Sequence, residues 1–125
     1  MSYDTNNIFA KILRGEIPCD KVFENDHALA FNDINPLAKV HVLVIPKGAY
    51  KDVDDFSKNA SKDAIASLMQ AVAEVCKITK VSLTEGGNGF RLIANTGPDG
   101  SQEVPHFHYH VMGGEPMGLR GLRKV

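Results

Sequence analysis

The 125-residue chain has no tryptophan, and of its two cysteines neither sits in a CxxC pair or at a metal-ligand spacing. That excludes a disulfide framework and a cysteine-based zinc site. Cys76 falls in an apolar helical stripe and reads as a small core hydrophobe, whereas Cys19, after Ile17-Pro18, reads as a partly exposed thiol. No apolar run approaches the roughly 18 residues of a membrane span. Charge of one sign is missing too: 14 Lys+Arg stand against 15 Asp+Glu, a net −1. This removes the usual electrostatic case for duplex nucleic acid or an anionic membrane as partner. The opening MSYDTNN has neither the basic nor the apolar region of a secretory signal, so a cytoplasmic location is expected. There is no GxxxxGK[ST], and no GxGxxG between a strand and a helix, so a nucleotide would have to be held in another way. Internal repeats and Pro/Gly/Ser-rich linkers are absent as well.

What is present fits one globular domain. Hydrophobic content of 43% and charge of 23% are near the averages for such domains, and the length suits a single core. Asn7 to Gly15 places Ile8, Phe9, Ile12 and Leu13 on one helical face, with Gly15 where a helix would end. Short β-like runs follow at Val22–Glu24, Ala28–Asn32 and Val40–Ile45, the last closed by Pro46 and apolar on both faces. The clearest helix spans about Ser61 to Thr79, with Ile65, Leu68, Met69, Val72, Val75 and Cys76 in the i, i+3, i+4, i+7 pattern. Glycines 86, 87 and 89 break the chain before a strand at Phe90–Asn95 and a loop at Thr96–Ser101. Val104 to Met112 forms the last expected strand. Two helices and about five strands without strand-helix alternation indicate an α+β fold with an antiparallel sheet.

One feature carries chemistry: His106-Phe107-His108-Tyr109-His110-Val111-Met112. On a strand the three histidines share one face, about 7 Å apart in turn, and Phe107, Tyr109 and Val111 face the core. Three of the five histidines within five residues are no packing device, and a solvated edge strand seldom carries so many. Imidazoles two apart on a strand can converge on Zn²⁺ with a further ligand from elsewhere. Alternatively, one imidazole acts as a nucleophile on phosphorus while its protonated neighbours grip the oxyanion. The preceding loop favours the second use, because Gly97, Gly100 and Ser101 offer backbone donors and no acidic residue stands at a ligand spacing within the motif. His41 alternates with Leu43 and Ile45 and on its own reads as a satisfied core or edge histidine. His27 follows Asn25-Asp26 in a turn and reads as exposed and idle.

The stretch His106–Met112 resembles the His-φ-His-φ-His-φ-φ signature of the histidine triad (HIT) superfamily. Asn7–Ile12, Glu16-Ile17-Pro18, Ala30–Ile34, Val40–Pro46 and His110–Gly114 occur in the order and spacing of its Hint branch. The resemblance covers about residues 7 to 114. It implies a single HIT domain over 1–125, with a flexible N-terminus 1–6 and a C-terminal tail 115–125. It further implies a homodimer with a continuous antiparallel sheet, binding of purine nucleotides, and hydrolysis of phosphoramidates such as adenosine monophosphate linked to an amine. Carried over position by position, His108 is the nucleophile that forms a nucleotidyl-histidine. His110 and His41 contact the phosphate, and His106 orients the cluster. Asn95 and the backbone near Gln102, Glu103 and Val104 hold the phosphate or leaving-group side, and Asp33 accepts from the ribose hydroxyls. Ile8, Phe9, Ile12, Ile17, Phe31 and Ile34 form the slot for the base, with Asn32 at its rim; the apolar pattern alone assigns Ile8, Phe9 and Ile12 to the core.

Four departures from the pattern sharpen the expectation. Glu103 stands where eukaryotic Hint proteins carry a serine, which favours a cationic amine such as a lysine side chain as leaving group. Pro105 replaces an aromatic residue and removes a backbone donor. His110, where transferase relatives carry glutamine, favours hydrolysis over uridylyl transfer. The cysteine pair of zinc-holding relatives is missing, so neither a structural metal nor a cofactor is expected. A dinucleoside polyphosphate hydrolase and a nucleotide-binding scaffold with incidental catalysis are the alternatives.

Overall fold

Apolar residues on both faces of Ala28–Asn32 (β2) and Val40–Pro46 (β3), interrupted only by Asn32 and His41, call for cover on both faces of a sheet, and both faces are covered. A computed structural model describes residues 2–118. Its elements are α1 (Ile8–Leu13), β1 (Lys21–Glu24), β2, β3, α2 (Val53–Asn59), α3 (Lys62–Ile78), β4 (Phe90–Ile93) and β5 (Tyr109–Gly113). The five strands form one antiparallel sheet in the order β1-β2-β3-β5-β4. The α+β class and the five-stranded antiparallel sheet are as expected.

Alternation along the strands splits the core in two. Ala28, Ala30, Val42, Val44 and Val111 pack with Leu68, Ala71, Val72, Val75 and Cys76 of α3. Leu29, Phe31, Leu43 and Ile45 pack with Phe9, and with half-buried Ile12, Leu13 and Val104, on the other face. Alanines 28, 30 and 71, all fully buried, let α3 lie close to the sheet. The helix opens at Ser61, whose side chain accepts from the Ala64 N–H. Helix α1 is stopped by its ends: Asn7 caps Ala10, and Gly15, at φ +78°, closes a Schellman turn in which the Gly15 and Glu16 N–H groups bond Ile12 and Lys11 carbonyls.

Three particulars differ from the sequence expectation. A third helix, α2, is present; its Asp52 cap and acidic first turn were legible, but a single buried Phe56 gives it no periodicity. Met69, placed in the apolar stripe of α3, is 45% exposed, and Ala64 and Ala71 take the buried positions instead. The last strand begins at Tyr109 and not at Val104. The register pairs Tyr109 with Val44, so Phe107 would come opposite Pro46. Pro46 has no N–H to give a ladder, and its carbonyl takes a side-chain bond from His106. No helix among the described residues is long and apolar enough to cross a membrane. Of the tail expected from 115 onward, residues 119–125 lie outside the described residues.

Candidate active site

Strand register brings the first two histidines together. His41 on β3 stands opposite Met112 and Leu43 opposite His110, so His41 and His110 are diagonal neighbours on one face. Their rings lie 5.2 Å apart, with His41 Nε2 2.9 Å from His110 Nδ1. His108 follows on the same face, 5.0 Å from the His110 ring and 5.0 Å from Phe9 of α1. His106 lies deepest, fully buried. Phe107 and Val111 enter the opposite core with Tyr109 packed against it, so the expected alternation persists although residues 104–108 are not ladder-paired strand.

Backbone groups assign the protons. The Pro46 carbonyl only accepts, so His106 donates from Nε2 (2.9 Å) and its Nδ1 accepts from the Tyr3 hydroxyl (2.6 Å). The His106 carbonyl likewise takes a proton from His108 Nδ1 at 2.7 Å. His108 Nε2 therefore keeps its lone pair. It has no partner among the described residues, and no buried polar side-chain atom among them is unsatisfied, so it reaches the cleft that His108 lines. The Leu37 N–H donates to His41 Nδ1 at 3.0 Å, which puts the His41 proton on Nε2. That proton goes to His110 Nδ1, and His110 in turn carries its own proton on Nε2. The cluster thus offers one lone pair, on His108, beside one N–H donor, on His110.

Burial dominates the electrostatics. It pushes His106 and His110 down to about 4, in His110 with help from His108 and His41. It also lowers His108 and His41, against the opposing pull of Asp33 on both and of the His106 carbonyl and Glu103 on His108. The neighbours expected to be protonated are neutral donors in the free protein. Asp33, His41 and His110 bring three ligand atoms within 4.8 Å of one another. A metal there needs a lone pair on His41 Nε2, which the Leu37 N–H denies, and the His110 Nδ1 lone pair is already taken. The donor set does not fit a cation in this state.

The cleft has a volume of about 410 Å³ and is lined by Asp33, Asn35, Leu37, His41, Asn95, Ser101, Glu103, His108 and His110. A larger hollow of about 570 Å³ beside Gly86–Gly89 is lined by no histidine or cysteine. Asp33, 3.4 Å from His41 through Oδ2, accepts the Asn35 N–H on Oδ1. Gln102 does not line the cleft: its amide bonds Gly97 N–H and the Lys51 and Val104 carbonyls, tying the loop shut. The Ser101 and Gln102 N–H groups are spent on Pro98 and Gly97, while those of Glu103 and Val104 have no acceptor among the described residues. Phe9 and Phe31 are buried edge to face (5.6 Å), with Ile12 and Val104 against them. Ile17 is half-buried, Ile8 is 42% exposed and Ile34 86%, so these three stand outside that cluster and the core assignment fails for Ile8. Asn32 bonds Asp20 at the surface. His27 stays in its turn, half-buried and apart from the cluster. Sequence reasoning missed Tyr3, Asn35 and Leu37. Nothing in their local pattern marks them, although Asn7 before an apolar run is a legible cap.

Residues 14–117 match the HIT domain family. The chain belongs to the HIT family. A HIT-like protein of 13.2 kDa from Azospirillum brasilense is 55% identical over 117 residues, 94% of this chain and 93% of that one. The purine nucleoside phosphoramidase of Escherichia coli K12 is 39% identical over 111 residues, 89% of each chain. Among solved structures, a histidine triad protein from Clostridium difficile superposes with a TM-score of 0.80 at 40% identity, covering 94% of this chain and 96% of that one. This HIT protein thus falls in a family of nucleotide hydrolases and transferases, on its Hint-like side.

The buried histidines give the HIT domain an acid-sensitive fold. His106 and His110 bind a proton near 6.5 when unfolded and only near 4 when folded. Between those values the unfolded chain holds more protons, so stability is full above about pH 6.5 and falls as the pH drops toward about 4, by at most about 1.4 kcal/mol per pH unit for each histidine. Urea midpoints at pH 7, 5.5 and 4.5 are expected to decline in that order, and less steeply in His106→Gln. A midpoint unchanged from pH 7 to 5 contradicts this.

Proposed function

We propose that this HIT protein is a purine nucleoside phosphoramidase that cleaves the P–N bond of a nucleoside monophosphate linked to an amine, through a nucleotidyl-histidine on His108. The observation that carries the reading is the single imidazole lone pair, His108 Nε2, held by the His106 carbonyl beside the His110 N–H. Neutral at pH 7, His108 needs no base to attack phosphorus. As the N–P bond forms its ring becomes cationic, and the Nδ1–H bond to a carbonyl strengthens with that charge. The amine departs with the P–N electron pair and takes up a proton from solvent, which the water of the second step gives back. Water then attacks phosphorus, releases the nucleotide and returns His108 to neutral imidazole.

The surroundings support the other roles. His110 Nε2–H, and the unspent N–H groups of Glu103 and Val104, are donors for the phosphoryl oxygens. His41 acts through His110, whose donor nitrogen it sets. Asp33 in the cleft suits the ribose hydroxyls, and the apolar group of Phe9, Ile12 and Phe31, which meets the His108 ring through Phe9, is assigned to the purine together with the more exposed Ile8, Ile17, Ile34 and Asn32. The lining holds two carboxylates, Asp33 and Glu103, and no lysine or arginine. Such a cleft favours a leaving group that brings a positive charge of its own. The Escherichia coli relative's name agrees with the reading.

Single-turnover release of a fluorescent amine from an adenosine phosphoramidate, in excess chelator, tests it. Wild type is expected to react and His108→Ala to lose several orders of magnitude. Slow release by both with nucleotide still bound would leave only recognition, and faster turnover of a dinucleoside polyphosphate would point to that substrate class instead. In the same assay Glu103→Gln should narrow the preference for a leaving amine with a second ammonium group over a neutral one; an unchanged preference removes Glu103 from the specificity argument.

The reading includes a homodimer. The outer edge of β4 has no partner strand among the described residues, and Phe90 on it is 44% exposed. Pairing two such edges extends the sheet across both protomers. Sedimentation equilibrium is expected to give twice the 13.6 kDa chain mass, and a monomer at micromolar concentration rejects it.

A further inference from the structure

Behind the histidines runs a relay of hydrogen bonds whose direction is fixed at each step. Asn7 Nδ2 donates to the Tyr3 hydroxyl (2.9 Å) and to the Asp4 carbonyl (2.7 Å), while Asn7 Oδ1 caps α1 through the Ala10 N–H (2.9 Å). The Tyr3 hydroxyl donates to His106 Nδ1, and His106 Nε2–H donates to the Pro46 carbonyl. His106 is the junction: its ring is pinned from both sides, and its main-chain carbonyl holds His108. Phe9, on the helix that hangs from Asn7, meets both rings edge-on.

We propose that Tyr3 is a positioning residue for the nucleophile: its hydroxyl locks the His106 ring, and the locked His106 carbonyl holds the His108 lone pair on the cleft. The proposal rests on the reading of His108 as nucleophile. It gives a task to a residue that lies outside the 14–117 matched by the family and within the segment 1–6 expected to be flexible. The physical reason is the buried Nδ1 of His106. Without the Tyr3 O–H that nitrogen is a buried acceptor with no donor among the described residues, and the ring is pinned from the Pro46 side alone. The carbonyl that follows it then keeps only the anchor of its own peptide unit, the Phe107 N–H on the Tyr50 carbonyl (2.8 Å), and loses that of the ring; small displacements at a nucleophile are costly in rate.

Two variants separate positioning from bracing. Tyr3→Phe keeps the ring and removes the hydroxyl. Asn7→Asp keeps the cap, since aspartate caps as well as asparagine, but its second oxygen draws the Tyr3 proton away from His106. In both, the single-turnover rate constant is expected to fall about tenfold, while the Kd for adenosine monophosphate stays within about twofold. Asn7→Asp also loses the Nδ2 bond to the Asp4 carbonyl and sets a carboxylate oxygen against it, so its Tm is expected to fall, and both rates are read at equal folded fraction. Ring ¹⁵N spectra supply a readout apart from turnover: wild type is expected to show one tautomer at His106 and one, Nδ1–H, at His108, and the variants a mixture. Wild-type rates with an unmixed His108 tautomer overturn the proposal. So does a rate that falls only in step with the folded fraction. If wild type itself shows no turnover, the phosphoramidase reading fails, and the spectra still decide whether Tyr3 holds His108.

Discussion

The architecture of the site depends on one backbone oxygen. The His106 carbonyl takes the Nδ1 proton of His108 and so decides which nitrogen of the nucleophile faces the cleft. An imidazole left to itself exchanges tautomers freely, and a share of the molecules would present N–H where a lone pair is required. Here a group that can only accept removes the choice. The same device recurs with the sign reversed at His41, where the Leu37 N–H can only donate. Both anchors are main-chain atoms, which hold their place because the sheet and its flanking loops hold theirs.

Burial completes what the hydrogen bonds begin. Fixing tautomers matters only while the rings are neutral, and desolvation keeps all four below the ordinary histidine value. Packing α1 across the sheet contributes to this: Phe9 sets its ring edge-on against His106 and His108 and excludes water from both. Asp33 and Glu103 work against this depression at His108 without cancelling it. Stability and reactivity are tied to the same dry pocket.

Much of this was legible in the chain. The short β-like runs of β2 and β3, the 3.6-residue stripe of α3 and the glycine after α1 each predicted an element that is present. The spacing of His106, His108 and His110 marked the site because alternation in extended chain puts such residues on one face, and that survives where regular pairing does not. What was not legible depends on long-range approach. Tyr3 meets His106 across 103 positions, and Leu37 reaches His41 only because the loop before β3 curls back. His41 itself looked like a core residue, and on pattern alone it is one; the register that sets it diagonal to His110 is a property of two strands. Met69 failed for a simpler reason: stripes count apolar residues, and the sheet selected alanines so that the helix could come closer.

That diagonal has a consequence for how the chain must fold. A strand's side chains alternate, so pairing β5 against β3 one residue out of step would send His110 into the α3 core and bring Tyr109 or Val111 to the cleft. The misaligned sheet would keep its strand count and most of its hydrogen bonds, yet bury an imidazole in the wrong core and hold no nucleophile. The histidines thus make register an all-or-none property. Length can vary in the loops at 33–39 and 94–104 without disturbing it, whereas one residue added within 40–46 or 109–113 changes the face of everything beyond.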